Sequence, residues 1–298
     1  MRLISLLRLA AQAETLRWKR TGRGVAIQAA LGAAAALFGL MLLVMLHIAA
    51  LIWLARDQGG AGAALTLLFE GTVPRIAIND FDPCIHAFWK AVTERSEEFQ
   101  VLIQESPLTI DEWKLQRDVY RARDNSDQLK LGFATFYLNR TNRSGVLNAG
   151  VIGGQAQAGT YKIGARFNRE ELARKVALIG QRRDDIEVSM EDGAAFIERE
   201  LSGGSTFVYA DPPYYDKGSL LYMNSFDSAQ HEELARVLNK FPSAAWLLTY
   251  DDVQAIRALY RGRYQGTFEL PYSAHRSEFA SERMIMSSPV ARAMGMLD

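Results

Sequence analysis

The rhythm of apolar and polar positions changes several times along the chain. Val25 to Ala55, VAIQAALGAAAALFGLMLLVMLHIAALIWLA, runs for 31 residues without a formal charge. A bilayer span needs roughly 20 apolar residues, so the run predicts a membrane-type helix, with a fully buried core helix as the alternative. Arg17, Lys19, Arg20 and Arg23 flank its start, and Trp53 near its far end fits an interface anchor. Ahead of it, Leu3, Leu6, Leu7, Leu9 and Ala10 give residues 1–24 the pattern of a basic amphipathic helix.

Beyond Ala55 the texture becomes that of a folded domain. Gly59-Gly60-Ala61-Gly62 opens a short apolar helix over 63–70, broken at Gly71, and Ile76-Ala77-Ile78 reads as a strand ended by Asn79-Asp80. Ile85, Phe88, Trp89 and Val92 then share one helical face. Residues 107–130 predict a polar helix, with Asp111 and Glu112 as the acids favoured near a helix start. From Asn139 to Ala165 glycine and asparagine dominate without a helical period, which predicts long irregular structure; such segments inside domains tend to carry function. Helices follow at 169–177, 192–200, 228–240 and 251–260, and strands at 186–188, 206–210, 245–250, 265–271 and 283–287. Strands alternating with helices imply an α/β fold with a mainly parallel sheet.

Composition excludes more than it selects. The 298 residues carry zero net charge and 49% apolar residues, ordinary for a globular protein. A single cysteine, Cys84, rules out an internal disulfide and a Cys-rich zinc site, and suits a reducing compartment. With four histidines and no ligand pair on one helix face, no metal is expected. The neutral average hides a basic stripe: Lys114 to Lys175 holds 12 Lys/Arg against five acids, 12 − 5 = +7. Such a stripe fits either a solvated face or a surface that tracks phosphates.

The chemistry-bearing stretch is FVYADPPYY, Phe207 to Tyr215. Ligands of open parallel sheets sit outside the carboxyl ends of the strands, so Asp211, directly after strand 206–210, should face such a crevice. Pro212 and Pro213 fix φ and donate no N–H, leaving the carbonyls of Asp211 and Pro212 as rigid acceptors beside the ring of Tyr214. A planar amine matches that cluster. Its two N–H groups donate to a carboxylate and a carbonyl while its ring stacks on tyrosine. Holding both hydrogens frees a delocalised nitrogen lone pair for attack, by positioning and preorganised electrostatics rather than a strong base. A base in duplex nucleic acid must be swung out to reach it.

Asp211-Pro212-Pro213-Tyr214 resembles the catalytic motif of S-adenosylmethionine-dependent amino-methyltransferases, above all the Dam-type DNA adenine-N6 methyltransferases. The resemblance spans about Gly59 to Ser288 and implies a Rossmann-like sheet with an inserted DNA-recognition region at about 114–179. It implies catalysis by Asp211, Pro212, Pro213 and Tyr214. S-adenosylmethionine would be held by Gly59, Gly60, Gly62, Asp80 (on the ribose), Asp192 and Asp211. Double-stranded DNA would be contacted by Asn139, Arg140, Arg143, Lys162 and Arg166, since FYLNRTNRSG, Phe136 to Gly145, is similar to the opening of the family's recognition region. SFDSAQHEEL, with Phe226, His231 and Leu234, is like the helix after the catalytic motif, whereas Gly193 stands where members usually carry an aromatic.

The front of the chain departs from that family. Leu54-Ala55-Arg56-Asp57-Gln58 stands where members carry a strand and an aromatic residue, so cofactor binding is expected to be impaired. Six Lys/Arg precede the span (Arg2, Arg8, Arg17, Lys19, Arg20, Arg23) and only Arg56 follows it before Arg75, so a single crossing would export the catalytic part. A span that re-enters as a hairpin, a buried span or a fusion would reconcile these; the favoured reading is the fusion, residues 1–56, holin-like in texture, joined to a methyltransferase domain over 57–298. The expected protein is a cytoplasmic monomer, associated with a membrane through 25–55. The rival is a membrane protein carrying an inactive methyltransferase remnant.

Overall fold

Local capping chemistry sets most of the element boundaries in the computed structural model, which describes residues 60–215, 226–272 and 278–297, with backbone alone for 269–272 and 278–281. The amphipathic helix, the membrane-type helix at 25–55 and Gly59 fall outside the described residues. No helix among the described residues is long and apolar enough to cross a membrane. Helix α1 (60–69) ends at Gly71, whose φ of 72° is the left-handed conformation glycine adopts freely. Strand β1 (Ile76–Asn79) leads to α2 (Pro83–Glu94). Asp82 caps α2 by accepting the Cys84 N–H at 2.7 Å, with Pro83 in the first turn.

The single polar helix expected at 107–130 is two helices, and α3 (Ser96–Glu105) precedes them unanticipated. Helix α4 (Ile110–Ala122) is capped by Thr109 and stops where Arg123 turns left-handed (φ 52°). Helix α5 (Gln128–Thr141) restarts from Asp127, whose carboxylate accepts the Lys130 N–H. Its sequence hides it because nearly every side is buried, Leu131 through Leu138 and Thr141 included. An apolar run without a polar face carries no 3.6-residue signal. The expected irregular stretch therefore begins only after Thr141; within it lie short 3-10 turns at Arg143–Gly145 and Ile163–Arg166.

Around α5 a helical core closes with α2, α3, α4 and α6 (Arg169–Gln181). Edge-to-face contacts link Phe99 to Phe133 and Phe136 (ring centroids 5.6 and 5.3 Å) and Phe136 to Phe167 (5.7 Å). Strand β2 (Ile186–Ser189) pairs parallel with β1, Asn79 opposite Ser189. A second core forms around Trp246, Leu248, Tyr250 and Ile285, from α7 (Gly193–Ser202), β3 (Phe207–Ala210), α8 (Ser228–Lys240), β4 (Ala245–Asp251), α9 (Gln254–Leu259) and β6 (Glu278–Met286). Strand β5 (Tyr264–Tyr272) completes its sheet. The described residues as far as Val290 belong to one compact unit.

The sheet differs from the single, mainly parallel one expected. Among the described residues there are two ladders, β1-β2 and β3-β4-β6-β5, the second parallel only between β3 and β4. The antiparallel β5-β6 pair follows from connection length: β5 runs into β6 through a few residues, whereas a parallel return needs a crossover of a dozen or more.

Gly132 marks a close backbone contact between two helices. A Cβ there would lie 2.5 Å from the Ala87 carbonyl oxygen of α2. Gly132→Ala should therefore lower stability by about 1–3 kcal/mol, the usual penalty of overpacking, read as a lower urea midpoint with an unchanged slope.

Candidate active site

The parallel ladder β3-β4 builds the site by bringing two strand tips together. Asp211 follows Ala210, the last residue of β3, and Ala210 pairs with Leu248 of β4. Thr249, next on β4, is buried and donates its hydroxyl to Asp211 Oδ1 at 2.8 Å. Tyr209 Oη lies 2.9 Å from the same Thr249 oxygen. The single Thr249 proton is committed to the carboxylate, so Tyr209 is the donor to Thr249. Asp211 is exposed to solvent as a residue, yet its carboxyl is crowded by protein, the combination expected on the floor of a cleft. Burial pushes its pKa above the usual carboxylate value, and the Thr249 hydrogen bond works against that rise.

Two further acids hold the rest of the elbow. Asp251 shares a face of β4 with Thr249 and accepts the Tyr215 N–H at 2.8 Å. Glu282 stands opposite Asp251 in the β4-β6 register and accepts the Tyr214 hydroxyl. Glu282 is buried, and desolvation raises its pKa; the Tyr214 hydrogen bond offsets this, while the charges of Asp211 and Asp251 add to it. Behind them His231, buried on α8, shares a hydrogen bond of 2.7 Å between Nδ1 and the Tyr250 hydroxyl. Tyr215 and Phe226 pack on its ring at 4.8 and 5.3 Å.

A second group gathers at the carboxyl ends of β1 and β2. Asn79 ties them: its Oδ1 accepts from Ser189 Oγ and Glu191 N, both at 2.9 Å, and its Nδ2 donates to the Glu191 carbonyl. Asp80 does not cap α2, a role that falls to Asp82; it accepts the Asp82 N–H at 2.8 Å. Burial lifts its pKa from 3.8 to about 6. Asp192 is the N-cap of α7, accepting from Ala194 and Ala195 N–H, and a Cβ on Gly193 would meet open space. Gly60 and Gly62 lie in the first turn of α1 rather than in a loop before it. A Cβ on Gly60 would come within 3.0 Å of the Tyr209 ring, so the start of α1 lies against the strand that carries Asp211.

The third group surrounds the turn after α5. Buried Asn142 organises it, accepting from Trp113 Nε1 at 2.7 Å and donating to the Val146 and Leu147 carbonyls. Ser144 and Gly145 are left-handed (φ 56° and 73°), and Asn142 bridges to Val151. Asn139 donates to the Gly145 carbonyl and accepts from Arg140; Arg166 reaches the Asn139 and Asn142 carbonyls, and Arg143 lies against Gly150. Burial, with the nearby Arg166 charge, lowers the Arg140 pKa. Lys162 turns to the Gln157 carbonyl. None of these four cations is in an ion pair among the described residues. No hydrogen bond or ion pair among the described residues joins the three groups directly.

A model of the D12 class N6 adenine-specific DNA methyltransferase family matches residues 60–278, which takes in all three groups except Glu282. The chain belongs to that family. It is a DNA methyltransferase that acts on adenine N6, and its substrate is DNA. The family generally uses S-adenosylmethionine. A comparison with curated proteins gives no match. Neither the expected impairment nor the inactive remnant gains support from the family match. No cluster of three or more His, Cys, Asp or Glu able to hold a metal occurs among the described residues.

Sequence reasoning missed Thr249, Asp251 and Glu282. The first two carried a signal, since AWLLTYD is a strand whose tip neighbours that of β3 in a parallel pair. Glu282 carried none, because only the β4-β6 register brings it to Tyr214.

Asp80 yields a pH prediction. Its folded pKa is raised, so the folded state binds more protons than the unfolded chain between pH 3.8 and about 6, and stability falls as pH rises through that window. Asp80→Asn in the cofactor-free enzyme should remove the penalty. Urea unfolding should show a gain of up to about 3 kcal/mol at pH 8 and little at pH 4.

Proposed function

We propose that Asp211 and the Pro212 carbonyl hold the exocyclic amine of an adenine turned out of duplex DNA, with Tyr214 as the plate on which the base stacks. One observation carries this reading: the carboxylate that follows β3 has Oδ1 taken by Thr249, at an accessible position hemmed in by protein. Asp211 and the carbonyl accept the two N–H hydrogens, so the nitrogen lone pair is no longer spread into the ring and becomes the nucleophile. Turning the base out costs a few kcal/mol, which stacking on Tyr214 offsets in part.

Asp80, Asp192, Gly60 and Gly62, with Gly59 and Asp211, would hold S-adenosylmethionine. The residues fit it: the desolvated Asp80 carboxylate has one partner among the described residues, and ribose hydroxyls are the donors that would relieve its raised pKa. Asp192 caps α7 and still presents an exposed side chain at the end of β2. When bound, the cofactor supplies an electrophilic methyl group. On this reading the two ladders are parts of one Rossmann-like sheet, which the contact of Gly60 with Tyr209 supports.

Arg140, Arg143, Arg166 and Lys162 would neutralise phosphates, with Asn139 holding the turn; their lack of carboxylate partners among the described residues supports this. The turn 142–151 is then the recognition element. A monomer, a cytoplasmic location and membrane association through 25–55 belong to the same reading, the last supported by the apolarity of that stretch alone.

Asp211→Ala should reduce methyl transfer from labelled cofactor to duplex DNA at least about 100-fold with an unchanged circular dichroism spectrum. Parental activity in that variant would refute the assignment. Arg143→Ala should weaken binding uniformly across DNA sequences and reduce the slope of log K against log salt by about 0.9, measured by fluorescence anisotropy.

A further inference from the structure

We infer that Thr249 is a positioning residue of the methyl-transfer site, which aims Asp211 by occupying one carboxylate oxygen and leaving the other to the amine. The inference rests on the reading of Asp211 as the amine acceptor. A carboxylate at a strand tip rotates about two bonds, and the flanking prolines fix only the backbone. The side-chain direction must come from elsewhere. Thr249 supplies it from the neighbouring strand, buried on a face that its β-branched Cβ holds in few rotamers.

Direction runs along the chain of hydrogen bonds. Tyr209 donates to Thr249 and Thr249 donates to Asp211, so Oδ1 already holds a donor, and Oδ2, with no hydrogen-bond donor among the described residues, is the oxygen offered to an incoming N–H. The far end of this chain, the Tyr209 ring, lies against Gly60 at the start of α1. The orientation of the amine acceptor is thus fixed from the side of the molecule assigned to the cofactor. Thr249 touches neither the base nor the cofactor in this arrangement; it acts through Asp211.

Among the described residues, the ionisable groups around Asp211 are few. Glu282 of β6 is near enough for the Asp211 charge to raise its pKa, and Tyr214 links the elbow to it. Asp251 of β4 acts on Glu282, with His231 of α8 behind it. Among the described residues, Thr249 alone donates a side-chain hydrogen bond that draws the Asp211 pKa down. Removing that donor should raise the pH at which Asp211 protonates, since the charged form loses a stabilising partner.

The test uses the full chain, tritium-labelled S-adenosylmethionine and unmethylated plasmid DNA. Thr249→Val should lower kcat about ten-fold, leave both KM values within about two-fold, and move the acid limb of kcat/KM up by about half a pH unit or more. Thr249→Ser, which keeps the hydroxyl, should restore both. A merely structural role would lower stability without moving the acid limb and would not separate serine from valine. Thermal unfolding is recorded for each variant; should Thr249→Val not fold, Thr249→Ala carries the same comparison. An unshifted limb with parental kcat in the variant lacking the hydroxyl overturns the inference, as does a serine variant as impaired as valine. Asp211→Ala, assayed alongside, separates the two readings: inactive Asp211→Ala beside a parental Thr249→Val sinks only the positioning role, whereas active Asp211→Ala sinks the assignment on which it rests.

Discussion

The parallel pairing of β3 with β4 is the constraint on which the site depends. It sets Ala210 beside Leu248, and from that register Thr249 meets Asp211 one residue later. A shift of one residue would turn every side chain of one strand to the opposite face and take the hydroxyl away from the carboxylate. The antiparallel β4-β6 ladder extends the same logic, since its register sets Glu282 opposite Asp251 and within reach of Tyr214. The elbow is rigid in its backbone because of proline, and directed in its side chains because of its neighbours.

The site gathers acids where an ordinary core would have none. Glu282 and Asp211 both carry carboxyls raised by desolvation, Asp80 is lifted to about 6, and the Asp251 charge adds to the rise at Glu282. Such clusters lower stability and recur where function needs acceptors held ready. The compensation lies in the surrounding bonds: Tyr214 on Glu282, Thr249 on Asp211, the Tyr215 amide on Asp251 and the Asp82 amide on Asp80. For a reaction on a weakly nucleophilic amine, oriented acceptors matter more than a strong base, and this arrangement supplies orientation.

The helical core serves a different end. Helix α5 is buried on nearly all sides, and it delivers Asn139, Arg140 and Asn142 at its carboxyl end with little freedom. Asn142, locked by Trp113 and two turn carbonyls, then fixes the path of 143–150 and with it Arg143. Cations without carboxylate partners among the described residues, mounted on so firm a base, keep their charge for an outside partner.

Much of this was legible beforehand. The β-prone run before Asp211, the two prolines, the alternation of strands and helices and the basic stripe are local or compositional properties, and local properties survive without coordinates. The ends of β1, β3, β4 and α8 fell close to expectation because capping residues and chain breakers announce them, Asp227 with its capping box among them. What the tertiary structure alone decided was partnership. It split the helix at 107–130, where Arg123 turns left-handed, and revealed α5, whose uniform burial erases periodicity. It gave Asp82, not Asp80, the cap of α2, and brought Thr249 and Glu282 to residues 38 and 68 positions away. Sequence distance says nothing of such pairs, because strand register is set by the packing of whole faces rather than by any residue's own preference.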